Sequence, residues 1–233
     1  MIYIKGIQKT SLVDYPPNIV STIFLGYCNF RCPYCHNPDL VLKADETQNI
    51  MEGDILKFLE GKKIWLDGVC ISGGEPTMHK DLPGFLAKIK ELGLKVKIDT
   101  NGSYPEVLKE LIDKKLVDYV AMDIKAPLDK YEKVAKINVD VENIKKSADM
   151  VRNSGIDYEF RVTVLKELLE KDDLIKIGEW LKGSKKMFLQ QLKHNVALID
   201  KDLEGKESSS MDELHEFKRL LEPYFEKVDV RSI

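Results

Sequence analysis

Apolar, β-branched runs alternate with amphipathic segments along most of this chain, and that rhythm constrains the fold more than any other feature. Residues 19–25, 68–72, 95–99, 119–123, 159–165 and 186–191 predict strands. Between and after them, residues 82–92, 105–114, 141–153, 172–181 and 210–224 carry apolar side chains at helical spacing with charged outer faces. Gly93 and Gly155 stand where helix ends call for a positive φ. Strand and helix in strict alternation imply parallel strands joined by right-handed crossovers, so an α/β sheet or barrel of about six units is expected, short of eight. No repeat, low-complexity run or Pro/Gly-rich linker divides the 233 residues, so a single domain over residues 1–233 is expected.

The predicted strands end on polar residues: Gly26-Tyr27-Cys28, Ser72-Gly73-Gly74-Glu75-Pro76, Asp99-Thr100-Asn101-Gly102, Asp123-Ile124-Lys125, Arg161-Val162-Thr163 and Gln190-Gln191. In parallel α/β folds the loops converge on the site at the carboxyl ends of the strands, while the opposite end serves stability. These ends therefore point to one mouth. Charge narrows the partner: 36 Lys and Arg against 39 Asp and Glu leave net −3, unlike the basic footprint of a nucleic-acid binder. Apolar stretches such as 19–25 fall far short of the roughly 20 residues of a membrane-spanning helix. The start Met1-Ile2-Tyr3-Ile4-Lys5 lacks the pattern of a secretory signal, so no membrane partner and a cytoplasmic location are expected.

Three of the four cysteines, Cys28, Cys32 and Cys35, crowd into one loop after the first predicted strand, while Cys70 stands apart. A chain with a full core and no export signal does not suit a disulfide framework, so metal or redox chemistry is expected. Thiolates are soft ligands that select zinc, copper(I) or iron-sulfur clusters. A structural zinc site normally takes four protein ligands, and recruiting His36 beside Cys35 would strain the local geometry. A thioredoxin-like reading of Cys32-Pro-Tyr-Cys35 leaves Cys28 unexplained. A cluster held by three cysteines accounts for all of them and leaves one iron open to a small molecule.

Cys-x3-Cys-x2-Cys with an aromatic residue before the third cysteine, followed by Gly73-Gly74-Glu75-Pro76 after the second strand, resembles the radical S-adenosylmethionine enzymes. The resemblance implies a partial, six-unit (β/α) barrel of the TIM type. More closely, Gln8-Lys9-Thr10-Ser11-Leu12-Val13-Asp14-Tyr15-Pro16 leading into Cys28-Asn-Phe-Arg-Cys32-Pro-Tyr-Cys35-His36-Asn-Pro-Asp-Leu is similar to the activating proteins of anaerobic ribonucleoside-triphosphate reductase. Pyruvate formate-lyase activases are similar at greater distance. Pro17 departs from the pattern, where glycine is expected after Asp-Tyr-Pro. The resemblance implies one 4Fe-4S cluster on Cys28, Cys32 and Cys35 whose open iron chelates the methionine end of S-adenosylmethionine. One electron, from a donor such as flavodoxin or ferredoxin, then cleaves the cofactor to a 5′-deoxyadenosyl radical, and the partner implied is the glycyl-radical subunit of the reductase.

The resemblance also assigns residues. Tyr34 is expected to flank the adenine, with backbone groups of Tyr34 and His36 on the base edge, although a packed loop aromatic is the simpler alternative. Gly73, Gly74 and Glu75 carry no Lys or Ser/Thr of a phosphate loop; the glycines would let backbone approach a ligand, and Glu75 would accept from the methionine amine. Cys70 reads as a small buried hydrophobe. Asp123 and Lys125 share one side of a strand end and could form an ion pair, or bind ribose hydroxyls, amine and carboxylate as the matching Asp-x-Lys of activases does. Arg161 lies on one face with Glu159 and Thr163, inward or outward. Lys193 is assigned to the methionine carboxylate, with His194 as the alternative and Gln190 nearby. Asp99, Thr100 and Asp123, with the carbonyl of Ala121, form an oxygen cluster suited to a monovalent or divalent cation. The charged stretch 200–210 reads as a solvated loop.

A non-catalytic iron-sulfur or zinc module is the competing class. Such a module has no need of Gly-Gly-Glu-Pro, Asp-Thr-Asn-Gly and Asp-x-Lys together at strand ends, so an enzyme is expected. Among enzymes, one acting on a small molecule is the alternative to an activase, and the short chain suits a macromolecular substrate entering an open mouth.

Overall fold

Eight strands stand in chain order in one sheet: β1 (Ile4–Ser11), β2 (Val20–Leu25), β3 (Gly68–Gly73), β4 (Lys95–Thr100), β5 (Tyr119–Asp123), β6 (Asp157–Val164), β7 (Ser184–Gln191) and β8 (Phe225–Arg231). The computed structural model describes residues 2–192, 196–206 and 209–231. β1 runs antiparallel to β2, and every later pair is parallel. The six expected strands are β2 to β7, arranged as a partial barrel.

β1 and β8 exceed the six-unit expectation. Both are edge strands, and natural sheets load their edges with polar and charged residues. The sequences IKGIQKTS and FEKVDVR therefore lack the apolar run that marks the inner strands.

The expected helices are α3 (Leu82–Glu91), α4 (Pro105–Asp113), α6 (Val141–Asn153), α7 (Lys171–Trp180) and α8 (Met211–Leu221). Three helices escape the periodicity reading. α1 (Pro38–Leu42) and α5 (Tyr131–Ala135) are five residues each, and α2 (Glu52–Lys62) buries only Ile55 and Leu59. The 210–224 segment is shorter as a helix than expected. Ser210 caps α8, its hydroxyl accepting from Glu213 N–H at 3.2 Å while the Glu213 carboxylate accepts from Ser210 N–H at 2.8 Å, and a 3₁₀ turn at Glu222–Tyr224 ends it. Gly93 and Gly155 take φ of +81° and +78° as expected.

Side-chain alternation sorts the two faces of the sheet. Val69 and Ile71, Val96 and Ile98, Val120 and Met122, and Phe160 and Val162 join the main core with helix residues such as Leu86, Leu108, Ile144 and Leu174. The opposite face carries a small cluster of Tyr15, Val20, Cys70, Tyr119 and Ala121. That face also holds charges: Lys97, Glu159 and Arg161 are all buried. A charged interior beside an apolar outer layer is costly unless paired, so the pairing organises the site.

Candidate active site

The carboxyl ends of the strands surround a cavity of about 270 Å³. Its wall includes Cys28, Cys32, Cys35, Tyr34, His36, Gly73, Gly74, Glu75, Asp99, Thr100, Asp123, Lys125 and Arg161. The site residues singled out from the sequence are thus brought together, apart from Ala121, which packs in a small apolar cluster, and Lys193 and His194, which lie outside the described residues.

The cysteine loop is held from several sides. Arg31 donates from its guanidinium to the carbonyls of Cys28 (2.6 Å) and Phe30 (2.8 Å), and its N–H donates to Ala135 O at 2.9 Å. Asn37 Nδ2 donates to Gly73 O at 3.1 Å, and Asn101 Nδ2 to Asn29 Oδ1 at 2.9 Å. The sulfurs themselves receive N–H groups: Phe30 N lies 3.4 Å from Cys28 Sγ and Asn37 N 3.5 Å from Cys35 Sγ. Such donors tune iron-sulfur centres.

Burial pushes the Cys28 thiol up to about 12, with the Glu75 charge adding to it, and the Cys32 thiol up to about 11 against the pull of Lys125. Cys35 is raised as well, chiefly by burial. A thioredoxin-like Cys32–Cys35 pair still leaves Cys28, on the same cavity wall, without a role. A metal bound by these thiols would displace the proton. Among the described residues no three His, Cys, Asp or Glu side chains surround a point fit for a single ion. Cys70 is fully buried on β3 and is absent from the cavity wall.

The glycines permit a close approach between two stretches of protein backbone. A Cβ on Gly74 would stand 1.8 Å from Tyr27 O, and one on Gly73, whose φ is +105°, 2.5 Å from Leu25 O. They let the end of β3 pack against the backbone leading into the cysteine loop, where Gly74 N and Glu75 N donate to Leu25 O and Tyr27 O at 2.8 Å each. The same two glycines also stand on the cavity wall.

Glu75 is buried and already ties β3 to β4. Oε1 accepts from Thr77 N at 3.0 Å, Thr100 Oγ1 at 2.7 Å and the Thr77 hydroxyl, while Oε2 accepts from Asn101 N at 2.6 Å. Burial raises its pKa above 4.5 against these hydrogen bonds. All four donors are neutral, and a carboxylate oxygen offers two lone pairs, so Oε2 keeps room for a cationic donor.

Arg161 faces inward, which settles the side left open by alternation. Its Nε donates to Asp123 Oδ1 at 2.7 Å and its Nη1 stands 3.3 Å from Asp99 Oδ1. Lys125 Nζ reaches Asp123 Oδ2 at 3.2 Å, and Lys97 Nζ reaches Asp99 Oδ1 at 2.8 Å. Burial works against both carboxylates, yet Arg161 with its lysine partners holds Asp99 and Asp123 below the usual range. At the oxygens expected for a cation, both carboxylates are paired with the protein's own cations, and the Thr100 hydroxyl is engaged with Glu75.

Sequence reasoning missed Lys97, Ser72 and Asp14. Lys97 was legible, since it alternates with Asp99 on one strand face. Ser72 donates to Asp99 at 2.9 Å. Asp14 lines the cavity and accepts from Thr22, but it comes from the loop before β2, where the sequence predicts stability and no site.

Three thiols on one loop with N–H donors to two of the sulfurs fit an iron-sulfur cluster. On the same loop, Tyr34 keeps a buried hydroxyl with no hydrogen-bond partner among the described residues, and Glu75 at the end of β3 keeps acceptor capacity, so a polar cationic ligand fits as well. A sequence profile of the Radical SAM superfamily matches residues 22–179. The chain belongs to this superfamily. Within it the chain falls among the glycyl-radical enzyme activating enzymes: a Methanocaldococcus jannaschii protein named for that activity is 35% identical over 99% of this chain and 96% of its own length. The pyruvate formate-lyase-activating enzyme of Streptococcus mutans is 29% identical over 88% of this radical SAM chain and 85% of its own. The Streptococcus suis SuiB structure bound to S-adenosylmethionine shares the fold, with TM-score 0.69 and 16% identity over 89% of this chain. This chain spans 48% of the SuiB chain's length. Among the described residues no helix is long and apolar enough to cross a membrane.

Proposed function

We propose that this chain activates an anaerobic ribonucleoside-triphosphate reductase by taking a hydrogen atom from a backbone glycine of that partner. When bound, the 4Fe-4S cluster supplies the electron that cleaves S-adenosylmethionine, and the adenosyl fragment takes the glycine hydrogen. The observation that carries the reading is the placement of the Cys28, Cys32 and Cys35 loop across one cavity from Asp123, Lys125 and Arg161.

The chain's own groups divide the work. Cys28, Cys32 and Cys35 would each hold one iron, in a loop where Cys32 is buried and its two companions are partly so, which limits the access of water to a reactive centre. Glu75 Oε2 and the Gly73–Gly74 backbone serve the methionine amine, Lys125 and Arg161 serve its carboxylate, and Tyr34 with His36 lines the adenine end. An electron donor of the flavodoxin or ferredoxin kind reduces the cluster, and the reaction runs in the cytoplasm.

The relatives named as pyruvate formate-lyase-activating enzymes favour a second reading, in which the partner is a formate-lyase-type glycyl radical enzyme. The founding test is anaerobic reconstitution with iron, sulfide and S-adenosylmethionine, followed by assay for 5′-deoxyadenosine after reduction. No 5′-deoxyadenosine from cluster-loaded protein would return the chain to the class of binding modules.

A further inference from the structure

The oxygen cluster of Asp99, Thr100 and Asp123 suits a hard cation, yet the structure fills it another way. Lys97 precedes Asp99 by two residues on the same face of β4 and is only 3% exposed. Its ammonium stands 2.8 Å from Asp99 Oδ1 and 3.9 Å from Cys70 Sγ. The other Asp99 oxygen accepts from Ser72 Oγ at 2.9 Å. Asp123 divides its carboxylate between Arg161 and Lys125. The Thr100 hydroxyl donates to Glu75 and accepts from Gly102 N–H at 3.1 Å.

Charge leads to the same place. Lys97, Asp99, Arg161, Asp123 and Lys125 alternate in sign, so the ladder carries one net positive charge before any ligand arrives. That excess matches one carboxylate of a ligand. Burial works against the Lys97 proton more than any single neighbour favours it, but Asp99, Cys70 and Glu159 together raise its pKa.

We propose that Lys97 is a tethered cation that stands in the place of a monovalent metal ion at Asp99, so that this chain completes its charge ladder without potassium or sodium. A lysine ammonium is a compact point charge on a flexible stem, which makes it a closer substitute for such an ion than a planar guanidinium. Lys97 is absent from the cavity wall and works through Asp99, which shares Arg161 with Asp123. It is a positioning residue.

The first test needs no cofactor. Melting temperatures of the cluster-free chain are compared in potassium chloride and in tetramethylammonium chloride at equal ionic strength. The wild type and Lys97→Arg, which keep a fixed charge, are expected to melt alike in both salts. Lys97→Met is expected to gain about 3–6 °C in potassium at ten times the ion's dissociation constant. A wild type that is itself stabilised by potassium, or a Lys97→Met variant that ignores it, would overturn the proposal. Should Lys97→Met fail to fold, thallium-205 resonance on the wild type decides: no bound thallium is expected, and a bound signal that disappears in Asp99→Asn refutes the stand-in. The last arm rests on the cavity being the S-adenosylmethionine site. Calorimetry on the cluster-loaded chain is expected to give one wild-type affinity in both salts, and a roughly tenfold weaker Lys97→Met affinity that potassium restores. Absence of binding by the wild type in either salt would sink the cofactor reading alone, while the melting and thallium results still judge Lys97.

Discussion

Arg231 on β8 grips Glu159 on β6 through two hydrogen bonds, Nη1 to Oε1 at 2.6 Å and Nη2 to Oε2 at 2.8 Å. The guanidinium lies 3.5 Å from the centroid of the Phe188 ring on the intervening strand β7, and Tyr119 adds a third hydrogen bond to Glu159 at 2.9 Å. A bidentate pair of this kind fixes geometry as well as charge, so it locks an otherwise polar edge strand onto the sheet.

Burial alone would raise the Glu159 pKa, but Arg231, with Arg161 and Lys97 behind it, holds it below its ordinary 4.5. A carboxylate more acidic when folded stabilises the fold above its unfolded value and gives that up as pH falls through the folded one. Glu159→Gln is expected to cost about 2 kcal/mol at neutral pH, discounted because Arg231 is partly exposed. Urea titrations across pH should show the gap to wild type closing below about 4.5. A gap that stays constant with pH would separate the loss from the charge of Glu159.

Gly74→Ala tests the close packing of β3 on the loop before the cysteines. Its Cβ would meet the Tyr27 carbonyl oxygen at 1.8 Å, a backbone atom already accepting from Glu75 N–H. The strand end must move, at an expected loss of about 3 kcal/mol. Iron loading should fall with it although no ligand is touched. Gly53→Ala in α2, with nothing within 4 Å of the added carbon, is the control and should stabilise by about 0.5 kcal/mol.

Cys32→Ala is expected to abolish reconstituted iron, and Cys70→Ala to keep it. Cys70 sits on β3 with its sulfur toward Lys97, away from the three thiols of the loop. Loss of the cluster in Cys70→Ala, seen by iron and sulfide analysis of folded protein, would redraw the ligand set.

The outer helices and inner strands were legible because one face of each carries an apolar period, as in α6, where residues 141–153 match the helix from end to end. β1 and β8 were not, since edge strands exchange apolar runs for charge. The site was legible in a different way. Cys28, Glu75 and Asp123 stand at or just beyond strand ends and Arg161 in the last half of β6, and parallel topology brings such residues to one mouth. What the sequence could not show was who pairs with whom. The carboxylates of Asp99 and Asp123 offer the same oxygens to a metal ion or to Lys97, Arg161 and Lys125, and only the fold decides between them.

Asp123→Ala and Lys125→Ala are expected to keep the cluster and lose affinity for S-adenosylmethionine. Each removal leaves charge unmatched in an enclosed ladder, and the opposing ligand charge adds to that, for a cost on the order of 2 kcal/mol. Calorimetry on cluster-loaded protein should read this as roughly thirtyfold weaker binding. Wild-type affinity in both variants would make the pair a purely structural one.

The substrate prediction turns on steric access to an open mouth. A glycine has no side chain, so its loop can thread toward the adenosyl carbon at little steric cost, and the resulting α-radical is delocalised over the adjoining amides. The partner must close the mouth as it docks, because water or stray protein groups would quench the reactive fragment. A reduced anaerobic mixture of this chain, S-adenosylmethionine and ribonucleoside-triphosphate reductase is therefore expected to show a glycyl signal in electron paramagnetic resonance. Incorporating α-deuterated glycine into the reductase should collapse the α-proton splitting and carry deuterium into 5′-deoxyadenosine. A glycyl signal on a formate-lyase-type enzyme with none on the reductase would assign the chain to that partner instead. Deuterium arriving from a small metabolite, with neither protein radical formed, would defeat both activase readings.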